Sequence, residues 1–185
     1  MNLANKLTIS RFLIIPIMLV LTLDIHPYLS EEIFLNLTRS QFMFSILFVI
    51  ASFTDFLDGY IARKTNTITT FGKFLDPIAD KALVVTAMIY LISLGLFEVW
   101  VVSLIVLREF LVSGLRLVAV EKQKVIAAGK LGKQKTLWTM LAIVYYLLNL
   151  QTLNLLIGQV LIGLMLILTV ISGIEYIYKN KDVLI

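Results

Sequence analysis

The chain has 185 residues, of which 59% are hydrophobic and only 15% charged. An ordinary soluble domain is roughly half apolar and a quarter charged, so this composition, with a mean hydropathy of +0.95, excludes one and reads as an integral membrane protein. No cysteine is present, which excludes disulfides and thiolate metal sites, and nothing in the pattern of its +4 net charge points to a nucleic-acid partner.

Charges and turn residues divide the chain into six predicted spans, at 5–24, 40–61, 75–96, 99–120, 134–151 and 154–178. A crossing needs about 20 residues, so the expected fold is all-α, a polytopic bundle of six transmembrane helices forming a single domain over 1–185. The start, M-N-L-A-N-K-L-T-I-S-R, runs into an apolar stretch without a small-residue cleavage site and reads as a retained first helix. The lone histidine, His26, falls in a predicted loop and reads as a surface group. Between Thr136 and Ile174 there is no charge, and a stretch of that length must fold back; Asn149, Gln151, Thr152 and Asn154 mark the turn of a helical hairpin.

The other uncharged runs, such as Phe12–Leu23 and Val99–Leu107, are too short to cross alone. Their helices continue through charged residues, which must face one another or a water-filled cavity. Six spans with a cytoplasmic N-terminus put every basic residue except Arg39 inside, so the positive-inside rule places both termini and the cavity on the cytoplasmic side of the cell membrane.

Four aspartates carry the most information. Asp55 and Asp58 are spaced i, i+3, and Asp76 and Asp80 i, i+4, so each pair shares a helix face. Asp76 before Pro77 has a local explanation as an N-cap with proline at the first helical position. Asp55 and Asp58 have none, because they end a span where the helix dipole disfavours anions. Four neighbouring carboxylates repel unless cations neutralise them, and two bridged metal ions do so. All-oxygen ligands select Mg²⁺ or Mn²⁺ over Zn²⁺. Gly59 and Gly72 fit either close helix packing or the approach of a phosphate.

The segment reads D-x-x-D-G-x-x-A-R, eight spacers, then G-x-x-x-D-x-x-x-D. It resembles the signature of the CDP-alcohol phosphatidyltransferase family. The resemblance implies six transmembrane helices, a homodimer, a CDP-linked lipid donor, an alcohol acceptor and CMP as leaving group. It also implies Asp55, Asp58, Asp76 and Asp80 as metal ligands and Asp80 as the catalytic base. Gly59, Arg63, Thr69, Gly72 and Asp76 would border the cytidine diphosphate, with Thr69 outside the fixed motif.

The acceptor is read from a second basic group. L-R-E-F-L-V-S-G-L-R puts Arg108, Val112 and Arg116 on one face of the fourth span, four residues apart, and Lys130, Lys133 and Lys135 open the fifth span. Anchoring to anionic head groups explains Lys122, Lys124, Lys179 and Lys181, but Arg116 less well. Glu109 has a simple reading as the partner of a neighbouring arginine. A cationic pocket beside a metal cluster suits an acceptor that carries a phosphate. The motifs N-x-L-T-x-x-R, R-E-F-x-x-S-G-L-R, G-K-x-G-K-x-K-T and S-G-I-E-Y-x-Y-K resemble the phosphatidylglycerophosphate synthase branch of the family. Ala4 departs from it where proline is common.

That resemblance implies transfer from CDP-diacylglycerol to sn-glycerol 3-phosphate in phospholipid biosynthesis. Arg116, Lys133, Lys135, Thr8, Arg11 and Arg108 become the candidates for the acceptor phosphate. Serine, inositol phosphate or phosphatidylglycerol as acceptor are the alternatives within the family. A divalent-cation carrier is the rival outside it, although the aspartates lie toward a membrane edge and no inverted repeat is visible.

Overall fold

The computed structural model describes the backbone at 3–23, 26–65, 70–123 and 129–181, and the side chains at 9–23, 26–33, 35–54, 77–123 and 129–181. Among the described residues there are six α-helices: α1 (Leu3–Leu21), α2 (Arg39–Thr65), α3 (Thr70–Ser93), α4 (Val99–Glu121), α5 (Lys130–Leu147) and α6 (Leu155–Lys179). All six predicted segments are helical.

Three local features differ from the sequence expectation. Helix α3 begins at Thr70, so Asp76 and Pro77 lie inside it rather than at its N-cap. A proline interior to a helix removes one backbone donor, a loss that neighbouring helices in a bundle can offset. Helix α5 also starts early, at Lys130 with Gly129 as N-cap. Between α1 and α2 there is a small antiparallel hairpin, β1 (Glu32–Phe34) and β2 (Leu37–Thr38). Its two loop residues, Leu35 and Asn36, both have positive φ (47° and 57°), the geometry of a primed two-residue turn. Leucine is a poor residue for that region, and no sequence signal pointed to the turn.

The polar turn between α5 and α6 forms as expected. Asn149 adopts the left-handed conformation (φ 55°), and Asn154 caps α6 by accepting from the Ile157 amide at 3.3 Å. The side-chain amide of Asn149 donates to the Leu35 carbonyl at 2.7 Å, tying this turn to the β hairpin. His26 lies exposed in its loop, where its Nδ1 accepts from the Tyr28 amide at 3.2 Å.

Helix α1 packs on α2 and α3, α4 on α3 and α6, and α5 on α2, α3 and α6. The common core is assembled from Phe44 and Phe48 of α2, Met88 and Leu91 of α3, Ile105 of α4, Ile143 of α5 and Met165 of α6, each no more than 1% exposed. Aromatic contacts reinforce it, with Phe44 and Tyr90 centroids 4.2 Å apart and Phe97 edge-on to Tyr146 at 5.2 Å. Large apolar side chains also cover the outside, among them Leu13, Ile50, Ile89, Leu117 and Leu156. Among the described helices only Leu155–Lys179 is by itself long and apolar enough to cross a membrane; the apolar stretches Ile9–Leu21 and Arg39–Thr54 are shorter.

Candidate active site

A cavity of about 380 Å³ opens between α3, α4 and α5. Helix α3 lines it with Pro77, Asp80, Lys81, Val84, Val85 and Met88, the repeat of one helix face. Helix α4 adds Ile105, Glu109 and Arg116, and α5 adds Lys135, Thr136, Thr139 and Met140. The charged residues lie toward the N-termini of α3 and α5 and the C-terminus of α4. Antiparallel neighbours bring these ends together, so the cavity has a charged mouth and an apolar floor of Val84, Val85, Met88, Ile105 and Met140.

Each charge at the mouth is held. Arg11 of α1 is fully buried (0% exposed) and forms an ion pair with the half-exposed carboxylate of Asp80. An arginine inside a helix bundle requires such a partner, because removing a guanidinium from water is expensive. Arg11, a candidate for the acceptor phosphate, is thus brought to Asp80. Lys81 donates to Ser113 Oγ, which donates to the Glu109 backbone carbonyl at 2.6 Å. Lys135, 5% exposed, donates to Glu109 Oε1 at 2.6 Å, and Arg108 Nη1 reaches the same oxygen at 2.9 Å. Arg116 is exposed and its Nε donates to the Tyr176 hydroxyl of α6 at 3.2 Å.

Two of the basic candidates stand elsewhere. Lys133 is exposed and is not part of the cavity wall. Arg108 is not in the cavity wall: its Nη2 donates to Ser172 Oγ at 3.0 Å while its Nη1 reaches the cavity-lining Glu109, and it packs beside Gly132 and Gly173. Arg108 and Arg116 thus both bond to α6, at Ser172 and Tyr176, and of the two only Arg116 also lines the cavity.

Asp55, Asp58, Gly59 and Arg63 fall on the C-terminal part of α2, and Gly72 and Asp76 on the N-terminal part of α3. Their side chains, that of Thr8, and all of Thr69 lie outside the described residues. Among the described residues no group of three or more His, Asp or Glu side chains comes together, and three of the four aspartates are not among those side chains. The chemistry of the donor set still fits a hard divalent cation, since α2 and α3 pack on each other and each carries two carboxylates one turn apart.

Sequence reasoning missed Lys81, Thr136 and Thr139 as cavity residues. It read Glu109 as the partner of an arginine, which it is, but not as the anchor of Lys135. The available signal was periodicity: Lys135 and Thr139, like Asp80 and Val84, are spaced i, i+4 and share a face.

The comparisons with known proteins agree in kind. A family model described as CDP-alcohol phosphatidyltransferase matches residues 1–171. The chain is similar to the CDP-diacylglycerol–glycerol-3-phosphate 3-phosphatidyltransferase of Bacillus subtilis (strain 168), with 40% identity over 99% of this chain and 97% of the relative. The protein of the same name from Rickettsia bellii (strain RML369-C) is 38% identical over 97% of this chain and 96% of the relative. A third, from Wigglesworthia glossinidia brevipalpis, is 32% identical over 96% and 94%. A family match over most of the chain, with relatives aligned nearly end to end, settles descent: this chain belongs to the CDP-alcohol phosphatidyltransferase family.

Proposed function

We propose that the chain transfers a phosphatidyl group from CDP-diacylglycerol to sn-glycerol 3-phosphate, giving phosphatidylglycerophosphate and CMP. The observation that carries this reading is the cavity mouth, where three cations (Lys81, Arg116 and Lys135) face two carboxylates (Asp80 and Glu109). Asp80 already pairs with Arg11, so the wall presents excess positive charge to an anionic guest. The names of the relatives aligned nearly end to end support the same donor and acceptor.

In the reaction the acceptor's terminal hydroxyl oxygen attacks the phosphorus that carries the diacylglycerol. The bond from that phosphorus to the bridging pyrophosphate oxygen breaks, and CMP leaves with the electron pair. Asp80 takes the hydroxyl proton, and Arg11 positions its carboxylate from the neighbouring helix. Lys135 and Arg116 hold the acceptor phosphate. Glu109 keeps the Lys135 ammonium in place despite burial, and Tyr176 steadies one edge of the Arg116 guanidinium. Asp55, Asp58, Asp76 and Asp80 would hold two Mg²⁺ or Mn²⁺ ions, which when bound neutralise the pyrophosphate and favour CMP departure. Gly59, Arg63, Thr69 and Gly72, with Asp76, would border the cytidine diphosphate.

The setting we propose is a multi-pass protein of the cytoplasmic membrane, with the cavity mouth and both termini on the cytoplasmic side. Helices of 18 to 27 residues and an apolar exterior support it, as does the basic bias at one set of helix ends. The assembly is a homodimer, as the family resemblance implies. Mass spectrometry of the lipid made from CDP-diacylglycerol with glycerol 3-phosphate, with and without Mg²⁺, tests the reading. Product formed with serine, inositol phosphate or phosphatidylglycerol in place of glycerol 3-phosphate would reassign the acceptor.

A further inference from the structure

One buried hydroxyl stands apart from the others. Ser40, Ser45, Thr169 and Ser172 each have a hydrogen-bond partner: Ser40 shares one with Thr38, Ser45 donates to the Gln41 and Leu147 carbonyls, and Thr169 and Ser172 donate back along α6. Thr139 is 2% exposed, and its Oγ1 has no partner among the described residues. A threonine inside a helix usually donates to the carbonyl four residues earlier, as Thr136 does to Gly132 at 3.1 Å. Thr139 does not, and it lines the cavity instead. A desolvated hydroxyl with nothing to bond is costly, so its partner is to be sought in what enters the cavity.

Its position identifies that partner. Thr139 lies four residues, just over one turn, deeper along α5 than Lys135, about 6 Å along the axis. That step is comparable with the separation between a phosphate and the hydroxyls of a small polyol phosphate. Beyond Thr139 the wall is Met140, Met88 and Ile105, whose only polar atoms are weakly accepting thioether sulfurs, that of Met140 already accepting from Ser52 Oγ at 3.9 Å. Thr139 is therefore the last polar side chain from α5 before the apolar floor.

We propose that Thr139 is a specificity-determining residue, which hydrogen-bonds the spectator secondary hydroxyl at C2 of the acceptor while Lys135 holds the phosphate. The inference rests on the proposed reading of glycerol 3-phosphate as acceptor. It assigns the terminal hydroxyl to attack and the C2 hydroxyl to recognition. An acceptor that keeps the phosphate and the nucleophile but lacks the C2 hydroxyl leaves Thr139 unsatisfied. A site built to bond a hydroxyl discriminates against the analogue without it far better than a merely apolar pocket does.

The test compares sn-glycerol 3-phosphate with 3-hydroxypropyl phosphate, using the purified full-length protein, its divalent cation and saturating CDP-diacylglycerol. Wild type should prefer glycerol 3-phosphate in kcat/KM by about tenfold or more. Thr139→Val keeps the shape and removes the hydroxyl. It should abolish most of that preference by lowering kcat/KM for glycerol 3-phosphate alone, leaving the value for 3-hydroxypropyl phosphate within about twofold of wild type. Thr139→Ser should retain the preference, and Thr139→Ala provides a second hydroxyl-free variant should valine fold poorly. A valine or alanine variant that slows both acceptors equally, or keeps the wild-type preference, overturns the proposal, since the hydroxyl is then only part of the packing or bonds to water. Wild type that converts neither acceptor refutes the proposed function itself, and this inference with it.

Discussion

Arg11 of α1 and Asp80 of α3 form an ion pair across the bundle, the guanidinium fully buried and the carboxylate 40% exposed. The two ends of this pair differ in what they stand to lose. Neutralising Asp80 strips a charged partner from a group with no access to water, whereas neutralising Arg11 leaves a carboxylate that water can reach.

Asp80→Asn should therefore be the more destabilising single change, though by less than the roughly 3–5 kcal/mol of a fully buried pair, because the carboxylate is 40% exposed. Arg11→Met should cost less, and the double variant should recover stability relative to Asp80→Asn without recovering activity. Thermal unfolding in detergent alongside CMP release checks this. A double variant no more stable than Asp80→Asn would show that the pair does not govern the fold here.

Lys135→Met should raise the KM for glycerol 3-phosphate by about 10- to 100-fold, since a hydrogen bond to a charged group contributes about 1.5–3 kcal/mol. KM for CDP-diacylglycerol should change little. Glu109→Gln should have a smaller effect in the same direction, because the amide oxygen can still accept from the ammonium. Initial rates at varied concentrations of each substrate decide it, and parallel effects on donor and acceptor would count against an acceptor-phosphate role.

Chelation tests the carboxylate cluster. EDTA should abolish transfer and excess Mg²⁺ or Mn²⁺ restore it, and Asp55→Asn should remove activity that neither ion restores. Full turnover by metal-stripped protein would refute the two-ion reading.

Packing between α5 and α6 makes a prediction independent of catalysis. A Cβ at Gly158 would lie 2.7 Å from the Tyr146 hydroxyl oxygen and 3.0 Å from Cζ. The Tyr146 ring is edge-on to Phe97 and cannot readily retreat. Gly158→Ala should destabilise the protein by about 1–3 kcal/mol, the usual cost of overpacking. Gly163→Ala, where a Cβ meets nothing within 4 Å, is the matched control. Equal melting temperatures for the two would contradict this packing.

Much of the architecture is legible along the chain. Apolar runs bounded by charges locate all six helices, and Asn149 and Asn154 mark the α5–α6 turn, because local polarity and backbone preference act over a few residues. The start of α3 was misplaced for the same reason: Asp76-Pro77 carries a helix-start signal, but the helix begins at Thr70 and runs through it. The family, too, is written in spacing alone, in the aspartates and glycines from Asp55 to Asp80.

Tertiary structure decided which charge answers which. That Arg11 meets Asp80, that Lys135 rather than Lys133 reaches the cavity, and that Arg108 turns to Ser172 all depend on rotation about helix axes. Each residue turns a helix by about 100°, so one position separates a cavity wall from an exposed face. The orphan hydroxyl of Thr139 was invisible for the same reason, since whether a threonine bonds its own helix or faces a void depends on what its neighbours leave open.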